Sequence, residues 1–139
     1  MSILSSHTSQ TLHAPSSVFA CWAEPESWPT WDEDVREVRF SGEVRVGAQG
    51  WMRPASGPAT TFTISVVEQD HIFTSTSSLP GAKLIFEHIV EPAPGGSRVF
   101  VTISVNGPMR GVWKLLLGRT FASAAERNVR GLLEHLDGK

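Results

Sequence analysis

Residues 83–90 alternate in polarity, and the face carrying Leu84, Phe86 and Val90 also carries His88. An imidazole among apolar neighbours can move a proton near neutral pH or anchor a ligand hydroxyl or carbonyl. It can equally be a core residue hydrogen-bonded to the next strand. His88 is the candidate catalytic group. Arg53, two residues after Trp51, has the reach and charge to meet a ligand carboxylate or phosphate, or to pair with a surface acid. Asp32, Glu33 and Asp34 follow Trp31 as an acidic run of the right types for acid–base work. Adjacent side chains do not share a face, however, and a position just after a helix end predicts a solvated loop. His7 and His13 fall on a polar first strand and His71 in a turn. His135 sits at a helix end, where a cation suits the dipole. These four read as surface or edge positions.

Other chemistries lack their residues. No histidine pair has metal-ligand spacing on one helix and there is no Cys/His cluster, so no metal is expected. GxSxG, GxGxxG and a phosphate-cradling glycine loop are absent, and no cofactor is expected. Cys21 is the single cysteine, which excludes an intramolecular disulfide and reads as a small core hydrophobe. The 139 residues suffice for one domain (1–139) with a real core. Twelve Lys and Arg against fourteen Asp and Glu give a net charge of −2, which offers no electrostatic case for nucleic acid or an anionic membrane. Nothing approaches the roughly 20 apolar residues of a membrane span, and the first ten residues lack a basic-then-apolar leader. A cytoplasmic protein is the expectation.

The elements that must position these groups follow from period and punctuation. Residues 3–13 form a polar first strand anchored by Leu4 and Leu12. Pro15, Ser16 and Ser17 start a short helix, with the serines as caps and Val18, Phe19 and Trp22 on its apolar side. Pro25 and Pro29 stop it and permit one more brief helical turn, residues 25–31. Period-two segments then recur at 35–40, 51–53, 60–68, 72–78, 83–90 and 98–105, separated by Gly- and Pro-bearing turns. Phe62, Ile64 and Val66 share one face of their strand. Short turns between successive strands predict an antiparallel meander. Residues 109–136 read as one long helix. Val129, Leu132, Leu133 and Leu136 form its stripe, and Gly118 permits a kink. Its front half (Val112, Trp113, Leu115, Leu116, Leu117) is apolar nearly all round, which predicts burial on several sides or the lining of a chamber.

This order carries APSSVFACWAEPESWPTWDEDV (residues 14–35), Gly42 with VGAQG (46–50), LPGA (79–82) and GGSRVFVTISVNGP (95–108). It resembles the helix-grip fold of the START and birch-pollen-allergen superfamily, most nearly the bacterial polyketide cyclase/dehydrase and lipid-transport family. The resemblance spans the chain. It implies an α+β fold: a curved antiparallel sheet of six to seven strands wrapped around a long C-terminal helix, with two short helices between strands 1 and 2. It also implies a deep apolar cavity between sheet and helix, its mouth near the short helices and strand-joining loops.

The ligand-binding residues expected from that picture are Phe40, Phe62, Phe86 and His88 on inward strand positions, beside Val38, Ile64, Val99 and Val101. Trp28 and Trp31 stand at the short-helix end, Trp51 and Arg53 on a strand end, and Met109, Trp113 and Leu117 on the long helix. Aromatic walls with few polar groups suit a small hydrophobic or aromatic ligand. Three functions are compatible: a carrier of such a molecule; a cyclase, aromatase or dehydrase in which His88 or Arg53 assists proton transfer; and a stress or regulatory interaction protein without turnover. A single inward polar residue, where an enzyme needs at least two convergent groups, favours the carrier. The exposed first strand allows a monomer or a homodimer.

Overall fold

The computed structural model describes residues 1–138. The chain runs β1 (Ser2–Thr11), α1 (Pro15–Trp22), a 3₁₀ turn (Pro25–Ser27) and α2 (Trp28–Trp31). There follow β2 (Val35–Arg39), β3 (Gln49–Pro54), β4 (Thr60–Glu68), β5 (Ile72–Leu79), β6 (Ala82–Ala93) and β7 (Gly96–Asn106), then α3 (Arg110–Phe121) and α4 (Ala124–Asp137). The β-branched and aromatic alternation of β4 to β7 suits a pleated, half-buried surface, and each of these strands pairs antiparallel with the next. β1 returns to pair with β7, so the order across the curved seven-stranded sheet is β1-β7-β6-β5-β4-β3-β2. The fold is the helix grip expected from the sequence.

The inward register also follows the alternation. Leu84, His88 and Val90 of β6 and Val99, Val101, Ile103 and Val105 of β7 are buried. Bulges alter it locally. The register shifts between Ile64 and Val66, so Val66 is exposed and Val67 packs on the core instead. Leu4 packs inward as expected, whereas Leu12 lies past the end of β1 and is exposed. Pro15 does start α1, but no serine caps it.

The last helical segment is two helices rather than one. The break falls at Ala122–Ser123, not at Gly118, and a side chain on β1 accounts for it. The Ser5 hydroxyl donates to the Ala122 carbonyl (3.3 Å) and accepts from the Ala125 N–H (3.1 Å), satisfying backbone groups that an unbroken helix would use internally. α4 buries Ala124, Ala125, Val129, Leu132 and Leu136. α3 buries no residue fully, so the expectation that its apolar front half is enclosed fails. It lies against β1, β6 and β7, with Trp113, Leu117 and Phe121 half-buried and its other side chains exposed.

Between sheet and α4 the interior is filled by Val18, Phe19, Trp22, Val99, Val101, Val129 and Leu132. Gly131 is where α4 touches α2: a Cβ there would collide with the carbonyl oxygen of Trp31.

Candidate functional site

A hollow of about 510 Å³ is an open groove over the β2–β3–β4 end of the sheet, not the deep cavity between sheet and long helix that the resemblance implied. The β2–β3 hairpin builds it. Arg39 pairs with Trp51 across the ladder, and Gly50 pairs with Phe62. Glycine is required at 50 because a Cβ would strike the Phe62 ring, which leans across this strand. Phe40, Trp51 and Thr61 form much of the groove, with Glu26, Arg39, Ser41 and Gln49 completing it. A second open hollow of about 330 Å³ shares Glu26 and Phe40 and extends along the 3₁₀ turn to Gly42 and Val44. Both volumes fall within the range of small-molecule sites.

The Trp51 ring has two guanidinium groups over it, Arg39 at 4.8 Å and Arg53 at 5.7 Å from the ring centre. Such contacts orient a cation against an aromatic face and leave its outer N–H groups available. Arg39 also donates to Glu37 at 3.0 Å.

A chain of aromatic contacts runs inward from the groove. Phe40 stacks on Phe62 (6.2 Å, 12°), Phe62 meets Trp28 (5.2 Å), and Trp28 meets Phe73 edge-on (5.9 Å). Phe73 then contacts the His88 ring (6.2 Å), and His88 contacts Trp22 (5.2 Å). The Trp28 indole N–H is fixed by the Trp22 carbonyl at 3.1 Å. Those of Trp22 and Trp31 are buried without a hydrogen-bond partner.

His88 is held as a neutral ring at the inner end of this chain. Its Nδ1 lies 3.0 Å from the Phe73 carbonyl, which can only accept, so Nδ1 carries the proton. Burial lowers its pKa to about 4, against the opposing pull of the backbone at Phe73 and Phe86.

The acidic run departs from its expected solvated loop. Asp32 is buried, accepting from the Asp34 N–H (3.0 Å) and from the Asn128 side-chain amide (2.9 Å). Burial raises its pKa to about 6, helped by the Asp34 charge and opposed by the Asp34 N–H, Asn128 and Arg127. Asp34 and Glu33 pair outward with Arg127 (3.1 Å and 3.7 Å), and Glu33 also reaches Arg130 (3.7 Å). This network joins the α2 end to α4. His13, expected as an edge residue, is also tied to α4, its Nε2 lying 2.7 Å from Asp137.

The expected ligand-binding residues thus separate into groups. Phe40 and Trp51 line the groove, Arg53 flanks it, and Phe62, Trp28 and His88 stand in succession behind it. Trp31 is buried at the α2–α4 contact. Phe86 packs edge-on against Phe121 of α3 (6.1 Å). Met109, Trp113 and Leu117 belong to the α3 side, across the sheet from the groove. Met109 covers Gly81, and Trp113 donates to the Pro80 carbonyl (2.8 Å). Sequence reasoning missed Arg39, Gln49 and Glu26. A signal existed for Arg39, since folding the hairpin about Arg45 sets it opposite Trp51.

A family model described as polyketide cyclase / dehydrase and lipid transport matches residues 6–139. The chain belongs to that family. Solved structures similar to this member of the polyketide cyclase / dehydrase and lipid transport family include protein MLL2253 of Mesorhizobium loti, at 14% identity and TM-score 0.73, covering 96% of each chain. Protein NE0264 of Nitrosomonas europaea is 13% identical with TM-score 0.74, over 96% of this chain and 93% of that one. Ara h 8.0201 is 13% identical with TM-score 0.69, over 96% and 97%. At these identities the likeness speaks for the helix-grip fold alone. No curated protein matches the sequence. The family description covers both catalysis and transport, so the choice falls to the side chains.

Proposed function

We propose that this domain binds and carries a small hydrophobic or aromatic molecule, seated first in the groove at Phe40 and Trp51. The reading rests on one observation: the groove floor continues inward as an unbroken series of aromatic contacts ending at neutral His88. Flat apolar surfaces attract a flat apolar guest at roughly 25 cal/mol per Å² removed from water. Arg39 and Arg53 beside Trp51 suit a guest with a polar or anionic end.

A carrier is preferred to a cyclase or dehydrase because His88 has its Nδ1 committed to Phe73 and its ring enclosed by Trp22 and Phe73. Its role in this reading is to hold the aromatic series in place, not to turn over substrate.

Native mass spectrometry of the protein purified from its own cells tests this. A small-molecule adduct is expected on the wild type and reduced at least about tenfold in Trp51→Ala, a loss of about 1.4 kcal/mol. Bare protein in both, or an adduct indifferent to Trp51, would contradict the proposal.

A further inference from the structure

We propose that Asp32 and Asn128 form a proton-operated clasp between α2 and α4, closed when Asp32 is neutral and loosened when it ionises. Asp32 ends α2, its N–H donating to the Trp28 carbonyl at 2.8 Å, and it is only 7% exposed. With the carboxyl charged, the buried polar groups at this contact do not balance. A carboxylate only accepts. Asp32 takes the Asp34 N–H (3.0 Å) on one oxygen and the Asn128 amide N–H (2.9 Å) on the other. Asn128 Oδ1 is left buried with no donor, an arrangement that folded proteins rarely keep. A proton on Asp32 supplies that donor. Carboxylic acid and primary amide are then complementary: Asn128 Nδ2 still donates to the carboxyl, and the carboxyl O–H donates to Asn128 Oδ1.

The surrounding charges do not neutralise Asp32. Arg127 goes to Asp34 (3.1 Å) and Glu33 (3.7 Å), and Arg130 to Glu33 (3.7 Å) and Glu126 (3.8 Å). β2, which also packs on α2, brings exposed Arg36, and Arg39 already paired with Glu37. The 3₁₀ turn brings Glu26, and α1 carries no charge. Among the described residues, none of these bases forms an ion pair with Asp32. Burial, with the Asp34 charge behind it, raises the carboxyl to about 6, so the proton comes and goes close to neutral pH.

The clasp reaches the groove through α2 itself. Trp28, on the same single turn, lies 5.2 Å from Phe62, the ring behind Phe40. Resting on the carrier reading, this makes the clasp a regulator of the groove, which should hold its guest more firmly in acid.

Side-chain NMR of the full chain from about pH 4.5 to about pH 7.5 tests the clasp with no guest present. The Asp32 carboxyl carbon and the Asn128 amide should shift together, with a midpoint of about 6. Corrected for intrinsic rate, the Asp32 N–H should exchange at least about tenfold faster at the upper end than at the lower. Asp32→Asn keeps a donor and an acceptor against Asn128, so its Asn128 amide should not titrate. Asn128→Asp sets two carboxyls side by side and should raise the midpoint by at least about one pH unit. An Asn128 amide unmoved while Asp32 titrates, a titration that survives Asp32→Asn, or an Asp32 N–H equally protected throughout would each overturn the clasp. The wild-type series decides alone should a variant fail to fold. Anilinonaphthalene sulfonate affinity over the same range reads the groove separately. It should be at least about fivefold tighter in acid for the wild type and independent of pH in Asp32→Asn. A titrating amide beside a pH-independent affinity would overturn the link to the groove. A titrating amide with no binding of the probe would count against the carrier reading and leave the clasp standing.

Discussion

α3 and α4 are neighbours in the chain, joined at Ala122–Ser123, yet they use their apolar residues in opposite ways. α4 is the more polar sequence and hides most of its stripe: Val129 and Leu132 have almost no contact with water, and Leu133 alone of the four is partly exposed. α3 carries three consecutive leucines and leaves two of them bare. The same division separates the closed centre of the molecule, where His88 and Asp32 are sealed among core side chains, from the open groove at Trp51. Apolar residues in α4 are spent on folding. In α3 and the groove they remain available for something outside the chain.

Substitutions can break or sharpen that contrast. The largest effect is expected from Leu132→Ala, which should lower the unfolding free energy by about 2–5 kcal/mol, whereas Leu115→Ala should change it by less than about 0.5 kcal/mol. Urea denaturation of both variants checks this, and similar losses would erase the distinction between the helices.

The sealed titratable groups give the next effect, with opposite signs. The native pKa of His88 lies below its ordinary 6.5, at about 4. Its stability contribution is therefore complete above pH 6.5 and is lost as pH falls from 6.5 to 4, by roughly 3 kcal/mol. Asp32 is raised from 3.8 to about 6, so its contribution is complete below pH 3.8 and lost as pH rises from 3.8 to 6. Between pH 4 and 6 the two offset one another in the wild type.

Asp32→Asn removes the second. Its amide can donate to the buried, unpartnered Asn128 Oδ1 once that side chain flips. This variant should be more stable at pH 7, by about 1–3 kcal/mol, and should lose stability more steeply than the wild type between pH 6 and 4. Denaturation midpoints at pH 4, 5, 6 and 7 decide it.

What the sequence made legible was local. Period-two alternation in β4 to β7 is a property of adjacent residues, so strand positions and inward faces such as His88 and Val101 could be read directly. Val66 escaped because a bulge is set by pairing with β5, and nothing in the alternation of β4 announces it. Asp32 escaped because its burial depends on Asn128, 96 positions away. The exposure of Leu115 and Leu116 was hidden for a related reason. Hydrophobicity says which residues can be buried, but only the placement of Ser5 and Gly81 fixes how α3 lies and which face it shows. Of the site, Phe40, Trp51 and Arg53 were identified by type. Their separation from Met109, Trp113 and Leu117 depended on which edge of the sheet each element reaches.

The groove is tested most directly by backbone-amide NMR during titration with anilinonaphthalene sulfonate, a flat aromatic anion. The probe also has the option of the bare leucines of α3, so the experiment chooses between the two open surfaces. Shifts concentrated at Phe40, Gln49, Gly50, Trp51 and Thr61, and lost in Trp51→Ala, are the predicted result. Shifts confined to residues 109–119, or none at all, would contradict a ligand site at the β2–β3 hairpin.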